Sequence, residues 1–357
     1  MGRVLVGRDA ELARINAWLG ERAAGVGPPA LLVSGEAGIG KTALLQAIDT
    51  ASARVRRAAA SPWRSTPFGV LAQLGPDPTA DPREIRANLL ADDSGAPLVV
   101  VLDDLHWCDD ASLELLAPLV ESVAGDRIAV IGAYRFDELP RGHLLRPLRA
   151  QLRHRHRLVE VKLGPLPTAP LTELIAALIG RTPRPDLVAA IGSRTEGVPF
   201  FVEELTAALT GAGRLIRDGD QVGLGAGGLP MPETVRDAVL LRTAGLSARA
   251  RAALDVAAVV GVAFDVSTVT AIEPGDWPDE LDDSGLVVTT GGDERRFRHA
   301  LTQEAIYSEV PWSRRTELHR ALAARAADPA IAAGHLLAGR DFDRARPALL
   351  KAAARHE

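Results

Sequence analysis

The sequence is poor in cysteine, lysine and aromatic residues: one cysteine and three lysines occur among 357 residues, and aromatic residues make up 4%. The lone Cys108 excludes an internal disulfide. No apolar run comes near the roughly 18 residues that a membrane-spanning helix needs, and neither a signal peptide nor a myristoylation motif opens the chain. These absences predict a cytoplasmic protein without a membrane partner.

The charges are close to balance, with 41 basic and 46 acidic residues and a formal net charge of −5. Such a balance leaves no broad basic surface for holding nucleic acid. Apolar residues make up 47% and charged residues 24%, as in ordinary globular proteins. Because 357 residues exceed the roughly 100–200 of a typical domain, we expect several folded domains.

Short apolar runs alternate with helical periodicity in the first half of the chain. The segments predicted to form strands cover residues 30–33, 54–59, 98–102, 128–133 and 158–163. The run at 98–102 is apolar at every position, as expected of a strand buried on both faces of a sheet. Since helical segments separate the runs, we predict an α/β domain with a parallel sheet and helices on both faces.

A complete P-loop pattern follows the first predicted strand and precedes a predicted helix, which is the context that this motif requires. In such loops the backbone N–H groups surround the phosphates of a nucleotide. Lys41 is then expected to neutralise the β- and γ-phosphate oxygens, and the Thr42 hydroxyl to bind Mg²⁺. The residues predicted to contact ATP or ADP here are Gly35, Glu36, Ala37, Gly38, Ile39, Gly40, Lys41, Thr42 and Ala43.

Three charged residues follow neighbouring predicted strands at their carboxyl ends, where open α/β sheets bind ligands. Asp103 is predicted to hold Mg²⁺, and Asp104 to polarise the water that attacks the nucleotide. Arg135, which follows the strand at 128–133, is predicted to face the γ-phosphate. The catalytic residues predicted from the sequence are therefore Lys41, Asp104 and Arg135.

Helical periodicity replaces the strand signals after Pro167. The glycine-rich residues 211–232 are predicted to be mobile, and residues 287–289 form a candidate hairpin with 296–299. Helices followed by a small β-ribbon suggest a winged-helix unit. The helices predicted in this half cover residues 171–179, 186–191, 200–209, 233–241 and 248–260, with others through residues 315–322 and from 330 onward.

These changes of pattern predict four domains. They are a P-loop ATPase domain (1–164), a helical lid domain (165–230), a winged-helix domain (231–327) and the start of a helical region similar to tetratricopeptide repeats (328–357). Helical repeats need about three units to bury a continuous core, and the last segment has room for one. We therefore expect this chain to be the N-terminal part of a longer protein.

Five motifs, in this order, resemble those of the signal-transduction ATPases with numerous domains (STAND). Among these proteins, the sequence is most similar to the large ATP-binding regulators of the LuxR family. The resemblance extends from Val6 to about Arg346. The motifs are Val6-Gly7-Arg8, the P-loop, Leu102-Asp103-Asp104-Leu105-His106-Trp107, Ala133-Tyr134-Arg135 and Gly197-Val198-Pro199-Phe200.

The resemblance implies further nucleotide contacts. The segment Val6–Arg8 is expected to line the adenine and ribose end of the site, and Arg135 to act as the sensor of the γ-phosphate. Pro199 is expected to begin a helix that closes over the base. His299 is expected to contact the β-phosphate of ADP.

The resemblance also implies a function, namely an ATP/ADP-controlled switch with slow Mg²⁺-dependent hydrolysis and inducer-dependent self-association. DNA binding is then expected only through a C-terminal domain outside this chain. Asp104 departs from the glutamate that is usual in fast AAA+ motors, which favours a switch. Two alternatives stay open: an ATPase that remodels a partner, and a pseudo-ATPase module that holds ADP structurally.

Overall fold

The protein divides into two compact units, one formed by residues 1–183 with 197–202 and the other by 184–196 with 203–357. The computed structural model describes residues 5–51, 53–61, 68–74, 87, 96–140 and 142–353. Among these residues, no helix has both the length and the apolarity that crossing a membrane demands. The division into four smaller domains stays a prediction.

The first unit is built on a parallel sheet in the order β2-β3-β4-β1-β5. This arrangement confirms the predicted α/β fold, and each strand bound lies within one residue of its prediction. The strands are β1 (Ala30–Ser34), β2 (Arg54–Ala59), β3 (Leu98–Asp103), β4 (Ile128–Tyr134) and β5 (Leu158–Lys162).

Helices flank the sheet because its central strands are apolar on both faces. All seven residues of β4 are buried, as are the first five of β3. Gly132 in β4 is a point of close packing, since a Cβ there would lie 2.5 Å from side-chain atoms of Leu32 and Leu105. The helices are α1 (Asp9–Ala23), α2 (Lys41–Ala47), α3 (Asp110–Ser122), α4 (Leu145–His154) and α5 (Thr168–Ile179), with 3-10 turns at Leu71–Leu74 and Leu105–Trp107 and a short strand, β6 (Thr182–Pro183).

The second unit is mainly helical. Helix α7 (Pro199–Gly211) begins in the first unit and continues into the second. The other helices are α6 (Pro185–Thr195), α8 (Glu233–Thr243), α9 (Ala248–Val260), α10 (Val266–Thr270), α11 (Pro278–Asp283), α12 (Ala300–Glu309), α13 (Trp312–Ala323), α14 (Pro329–Ala338) and α15 (Phe342–Ala353). The strands are β7 (Leu215–Asp218), β8 (Gln221–Leu224), β9 (Ala263–Asp265), β10 (Val287–Gly291) and β11 (Glu294–Phe297).

The glycine-rich residues 211–232, whose mobility stays a prediction, contain an antiparallel hairpin formed by β7 and β8. Its turn includes Gly219, whose φ of +58° suits glycine. The hairpin is hard to detect from hydrophobicity, since Ile216 is 54% exposed while Val222 is buried. The predicted hairpin at 287–299 is present as β10 and β11, and the three-residue strand β9 extends it to an antiparallel sheet in the order β10-β11-β9.

Arg22 on α1 is a buried cation that is bound by carbonyl groups. Its guanidinium is 1% exposed, and it donates to the carbonyl oxygens of Val26 (2.9 Å), Gly27 (3.0 Å), Ile128 (3.0 Å) and Asp126. Burial lowers the pKa of Arg22, and the charge of Asp126 opposes this shift. The side chain therefore ties α1 to the start of β4 by satisfying carbonyls that would otherwise be buried without donors.

We expect Arg22→Met to destabilise the first unit by more than about 3 kcal/mol, because it leaves several buried carbonyls unpaired. The exposed Arg14 of the same helix supplies the control, and Arg14→Met should cost less than about 0.5 kcal/mol. Urea unfolding followed by circular dichroism measures both variants. Equal unfolding midpoints for the two variants would contradict the structural role of Arg22.

Two histidines and a tyrosine form a hydrogen-bonded chain in the second unit. The Tyr307 hydroxyl lies 3.0 Å from His319 Nε2, and His319 Nδ1 lies 2.9 Å from His335 Nδ1. Burial, followed by the charges of His335 and Arg315, lowers the pKa of His319 to about 4. Burial also lowers the pKa of His335. The folded protein therefore holds this chain of contacts with His319 neutral.

The stability of the second unit should fall as the pH drops from about 6.5 to about 4, because the unfolded chain takes up a proton on His319 before the folded chain does. The contribution that is present above pH 6.5 and lost through this window is about 3 kcal/mol. His319→Gln should flatten the dependence, whereas the exposed His154→Gln should not. Thermal unfolding at several pH values measures this; parallel curves for His319→Gln and the unchanged protein would exclude it.

Candidate functional site

The loop between β1 and α2 takes a conformation that depends on glycine. Gly38 and Gly40 have φ values of +73° and +99°, which L side chains rarely adopt. A Cβ on Gly38 would also lie 2.6 Å from the Cβ of Phe200. The sequence therefore forms a turn that brings its backbone around the N-terminus of α2, where partial positive charge favours an anion.

Lys41, the first residue of α2, is 5% exposed. Its ammonium donates to the carbonyls of Gly35 (3.0 Å) and Glu36 (2.8 Å). Burial lowers its pKa to about 8, and the positive charge of Arg135 contributes, whereas nearby carboxylates act in the opposite direction. A buried ammonium held by carbonyl groups provides a strong site for a negatively charged ligand.

Thr42 and Asp103 are brought together by α2 and β3. The Thr42 hydroxyl donates to Asp103 Oδ2 at 2.8 Å, and both residues line a cavity of about 470 Å³. A hydroxyl and a carboxylate oxygen are ligands that suit Mg²⁺, which keeps several waters when bound to proteins. Within the described ranges, no three Asp, Glu, His or Cys residues gather as a metal cage. The donor set thus fits a hydrated magnesium ion that also contacts a phosphate.

Asp104 follows Asp103 with a left-handed backbone, φ 54°. Its amide donates to Asp103 Oδ1 at 2.9 Å, which helps to orient the Asp103 carboxylate. Burial raises the pKa of Asp104, and the charge of Asp103 raises it further, whereas His106, Arg135 and Lys41 lower it. A carboxylate with a raised pKa is a better proton acceptor than an ordinary aspartate.

Arg135 lies just beyond the end of β4, as its sequence position predicts. Its guanidinium carbon is 4.9 Å from the centre of the Trp107 ring, and Nη1 is 2.8 Å from Glu138 Oε1. Glu138 Oε2 is also 3.2 Å from His106 Nε2. Sequence reasoning assigned no role to Glu138, His106 or Trp107. Only the spacing of Glu138, three residues after Arg135, hinted at a contact.

Arg8 is buried, and its side chain connects the P-loop to the end of the sheet. It donates to the carbonyls of Ile39 at 3.1 Å and Gly164 at 2.6 Å, and it pairs with Glu11 at 3.3 Å. The preceding Gly7 has a φ of +67°, and a Cβ there would lie 2.3 Å from Pro170. Arg8 therefore fixes the position of the P-loop backbone. The expected contacts of Val6–Arg8 with adenine and ribose stay a prediction.

The turn before α7 packs against the P-loop in the first unit. The Phe200 amide donates to the Gly38 carbonyl at 3.1 Å, and the Leu166 amide donates to the Gly197 carbonyl at 2.8 Å. Gly197 has a φ of +75°, and a Cβ there would lie 2.5 Å from the Leu166 carbonyl oxygen. The structure thus places Pro199, the first residue of α7, beside the phosphate loop.

His299 belongs to the second unit, where it precedes α12. Its Nδ1 lies 3.7 Å from Glu196 Oε2, and Arg296 contacts the other carboxylate oxygen at 3.0 Å. The neighbouring His299 is the main cause that lowers the pKa of Glu196. The first unit therefore gathers the P-loop, both aspartates, Arg135 and Pro199, and the expected contact between His299 and ADP stays a prediction.

Comparison with known proteins identifies the kind of domain that carries this site. A family model described as "AAA ATPase domain" matches residues 4–131, which include the P-loop and both aspartates. The chain therefore contains a P-loop ATPase domain of the AAA type. No curated protein matches the sequence.

Solved structures of ATPases resemble the chain at low identity. The Aeropyrum pernix ORC1 protein in complex with DNA is 18% identical, with 86% of this chain and 93% of that chain covered and a TM-score of 0.48. The Thermotoga maritima RuvB Holliday junction branch migration motor is 17% identical, with 86% of this chain and 96% of that chain covered and a TM-score of 0.43. A STAND protein with a tetratricopeptide repeat sensor from Pyrococcus horikoshii is 15% identical, with 98% of this chain and 48% of that chain covered and a TM-score of 0.39. Since these TM-scores lie below 0.5, the domain assignment rests on the family match and on the P-loop.

Arg8→Met should loosen the P-loop, because the carbonyls of Ile39 and Gly164 lose their shared donor. We expect amide hydrogen exchange in residues 35–48 to accelerate by at least about tenfold. The control Glu11→Gln removes only the ion pair of Arg8 and keeps both carbonyl bonds, so it should change exchange by less than about threefold. Unchanged exchange in Arg8→Met would refute the role of this side chain.

Proposed function

We propose that this chain is the ATP/ADP-binding switch module of a LuxR-type bacterial transcriptional regulator of the STAND class, with slow Mg²⁺-dependent ATP hydrolysis. The observation that carries the proposal is the convergence of Lys41, Thr42 and Asp103 at one end of the parallel sheet, with the Thr42 hydroxyl 2.8 Å from the Asp103 carboxylate. The AAA-type domain supports nucleotide binding. The order of the five sequence motifs supports the narrower family.

Each site residue has a chemical role in this function. The P-loop amides and Lys41 bind the β- and γ-phosphates, and Arg135 reads the γ-phosphate, which only ATP carries. Thr42 and Asp103 would hold Mg²⁺, which neutralises charge on the phosphate oxygens when bound. Asp104 orients the attacking water and accepts its proton, for which its raised pKa is favourable.

Slow turnover follows from the type and the backbone of Asp104. An aspartate reaches one methylene less far than a glutamate, and a left-handed backbone after Asp103 limits how it can adjust. Slow hydrolysis suits a switch, because the ATP-bound state must persist long enough to be read by a partner. The switch requires different affinities for ATP in its two states, and a contact made only with the γ-phosphate can supply that difference.

The expected partners follow from the same family. Inducer binding and ATP together favour a self-associating form, and ADP favours a closed form. DNA contact belongs to a C-terminal domain outside this chain, in agreement with the net charge of −5.

Lys41→Ala should weaken binding of ATP and ADP by at least about 100-fold, because the buried ammonium is the main cation of the P-loop. Lys162, an exposed lysine on β5, supplies a control, and Lys162→Ala should bind as the unchanged protein does. Fluorescent nucleotide titration with Mg²⁺ measures both. The nucleotide released on denaturing freshly purified protein, and phosphate release over time, give the bound state and the turnover.

The outcomes separate the possible functions. Binding of both nucleotides with turnover below about one per minute supports a switch, since ordinary enzymes turn over about ten times per second. Fast turnover would favour a remodelling ATPase. ADP that remains bound in Lys41→Ala while folding depends on it would favour a structural nucleotide. Protein that binds neither nucleotide would refute the proposal.

A further inference from the structure

One carboxylate, that of Glu138, contacts two residues at the catalytic end of the sheet. Its Oε1 is 2.8 Å from Arg135 Nη1, and its Oε2 is 3.2 Å from His106 Nε2. The side chain is 17% exposed, while that of Arg135 is 25% exposed. Glu138 therefore lies between a buried ring and the guanidinium of Arg135, which is predicted to face the γ-phosphate.

The His106 ring lies beside the second oxygen of the Glu138 carboxylate. Its side chain is fully buried, and its Nδ1 accepts from the backbone amide of Arg135 at 3.4 Å. Its Nε2 lies 3.2 Å from Glu138 Oε2, which is ion-pair distance, but the two atoms do not meet the geometry of a hydrogen bond. Asp104 Oδ1 is farther from the same nitrogen, at 3.9 Å. The carboxylate of Glu138 thus lies against a ring that is kept in place by its burial and by its bond to the Arg135 amide.

The guanidinium of Arg135 is held on two sides. The Trp107 ring packs against it at 4.9 Å, and Glu138 binds Nη1. A guanidinium has five N–H groups in a rigid plane, so it can bind a carboxylate along one edge and a phosphate along another. Ordering the side chain before the ligand arrives reduces the entropy that binding must overcome.

We propose that Glu138 is a positioning residue that holds Arg135 in the orientation needed to distinguish ATP from ADP. The inference rests on the proposed function, because it assigns to Arg135 the reading of a γ-phosphate. Glu138 itself does not touch the nucleotide in this scheme. Its negative charge also repels a nearby phosphate, and the gain from orienting Arg135 outweighs this repulsion.

The test is Glu138→Gln, which keeps the shape of the side chain and removes its charge. We expect the affinity for ATP with Mg²⁺ to fall about tenfold, the size of one lost charge-assisted hydrogen bond. The affinity for ADP should change less than about twofold, because Arg135 makes no γ-phosphate contact there. A purely structural role for Glu138 would weaken both nucleotides equally.

A double-mutant cycle with Arg135→Ala shows whether Glu138 acts through Arg135. Once Arg135 is absent, Glu138→Gln should have no further effect on ATP affinity. The control is Glu160→Gln, which breaks a similar pair: Arg149 Nε is 3.0 Å from Glu160, and its guanidinium packs on Tyr134 at 4.8 Å. Glu160→Gln should leave both nucleotide affinities unchanged.

Several results would overturn the inference. They are an unchanged or increased affinity of Glu138→Gln for ATP, an equal loss for ADP, and a loss that persists in the Arg135→Ala background. If Glu138→Gln does not fold, Glu138→Asp provides the same test, because it keeps the charge but shortens the reach. Unchanged protein that binds neither nucleotide would refute the proposed function itself, whereas normal ATP binding with an insensitive Glu138 would refute only this inference.

Discussion

The ammonium of Lys41 is buried at the start of α2, where its hydrogen bonds go to the carbonyls of Gly35 and Glu36. Removing a cation from water is costly, and the lowering of its pKa to about 8 expresses that cost. A phosphate bound beside it would stabilise the charged form and raise this pKa. Binding of an anion beside the P-loop would therefore stabilise the buried ammonium of Lys41. Charged side chains of the first unit modify how strongly it does so.

The carboxylates at and beyond the ends of β3 and β4 partly stabilise the charge of Lys41 when no ligand is bound. Asp103, Asp104 and Asp137 all raise the pKa of Lys41, whereas Arg135 lowers it. The site thus contains opposing charges that lie near one another without full neutralisation. A nucleotide bound with Mg²⁺ would add negative charge through its phosphates and positive charge through the metal. Such a balance is sensitive to the number of phosphates that a bound nucleotide carries.

Local sequence patterns predicted the parts of the fold whose burial is continuous along the chain. Strands β3 and β4 are apolar on both faces, so each appeared as an unbroken run. The hairpin of β7 and β8 was missed because most of its residues are exposed, and only its turn carried a signal. The partners of Arg8 and Arg22 were not predictable either, since Gly164 and Ile128 lie 156 and 106 residues away. Backbone carbonyls have no sequence signature, so a guanidinium that binds them looks like any surface arginine.

Arginine and lysine have different tasks in the first unit. Arg8 and Arg22 each bind several carbonyls at once, which a planar group with five N–H donors does better than a compact ammonium. The phosphate site instead needs a point charge that can reach into a narrow loop, and Lys41 is the only one of the three lysines that is buried. Arg8 and Arg22 thus fix the backbone of the first unit, while the buried Lys41 lies in the P-loop. The Arg135–Glu138 pair combines both tasks, because a guanidinium bound to protein along one edge still has donors for a phosphate along another.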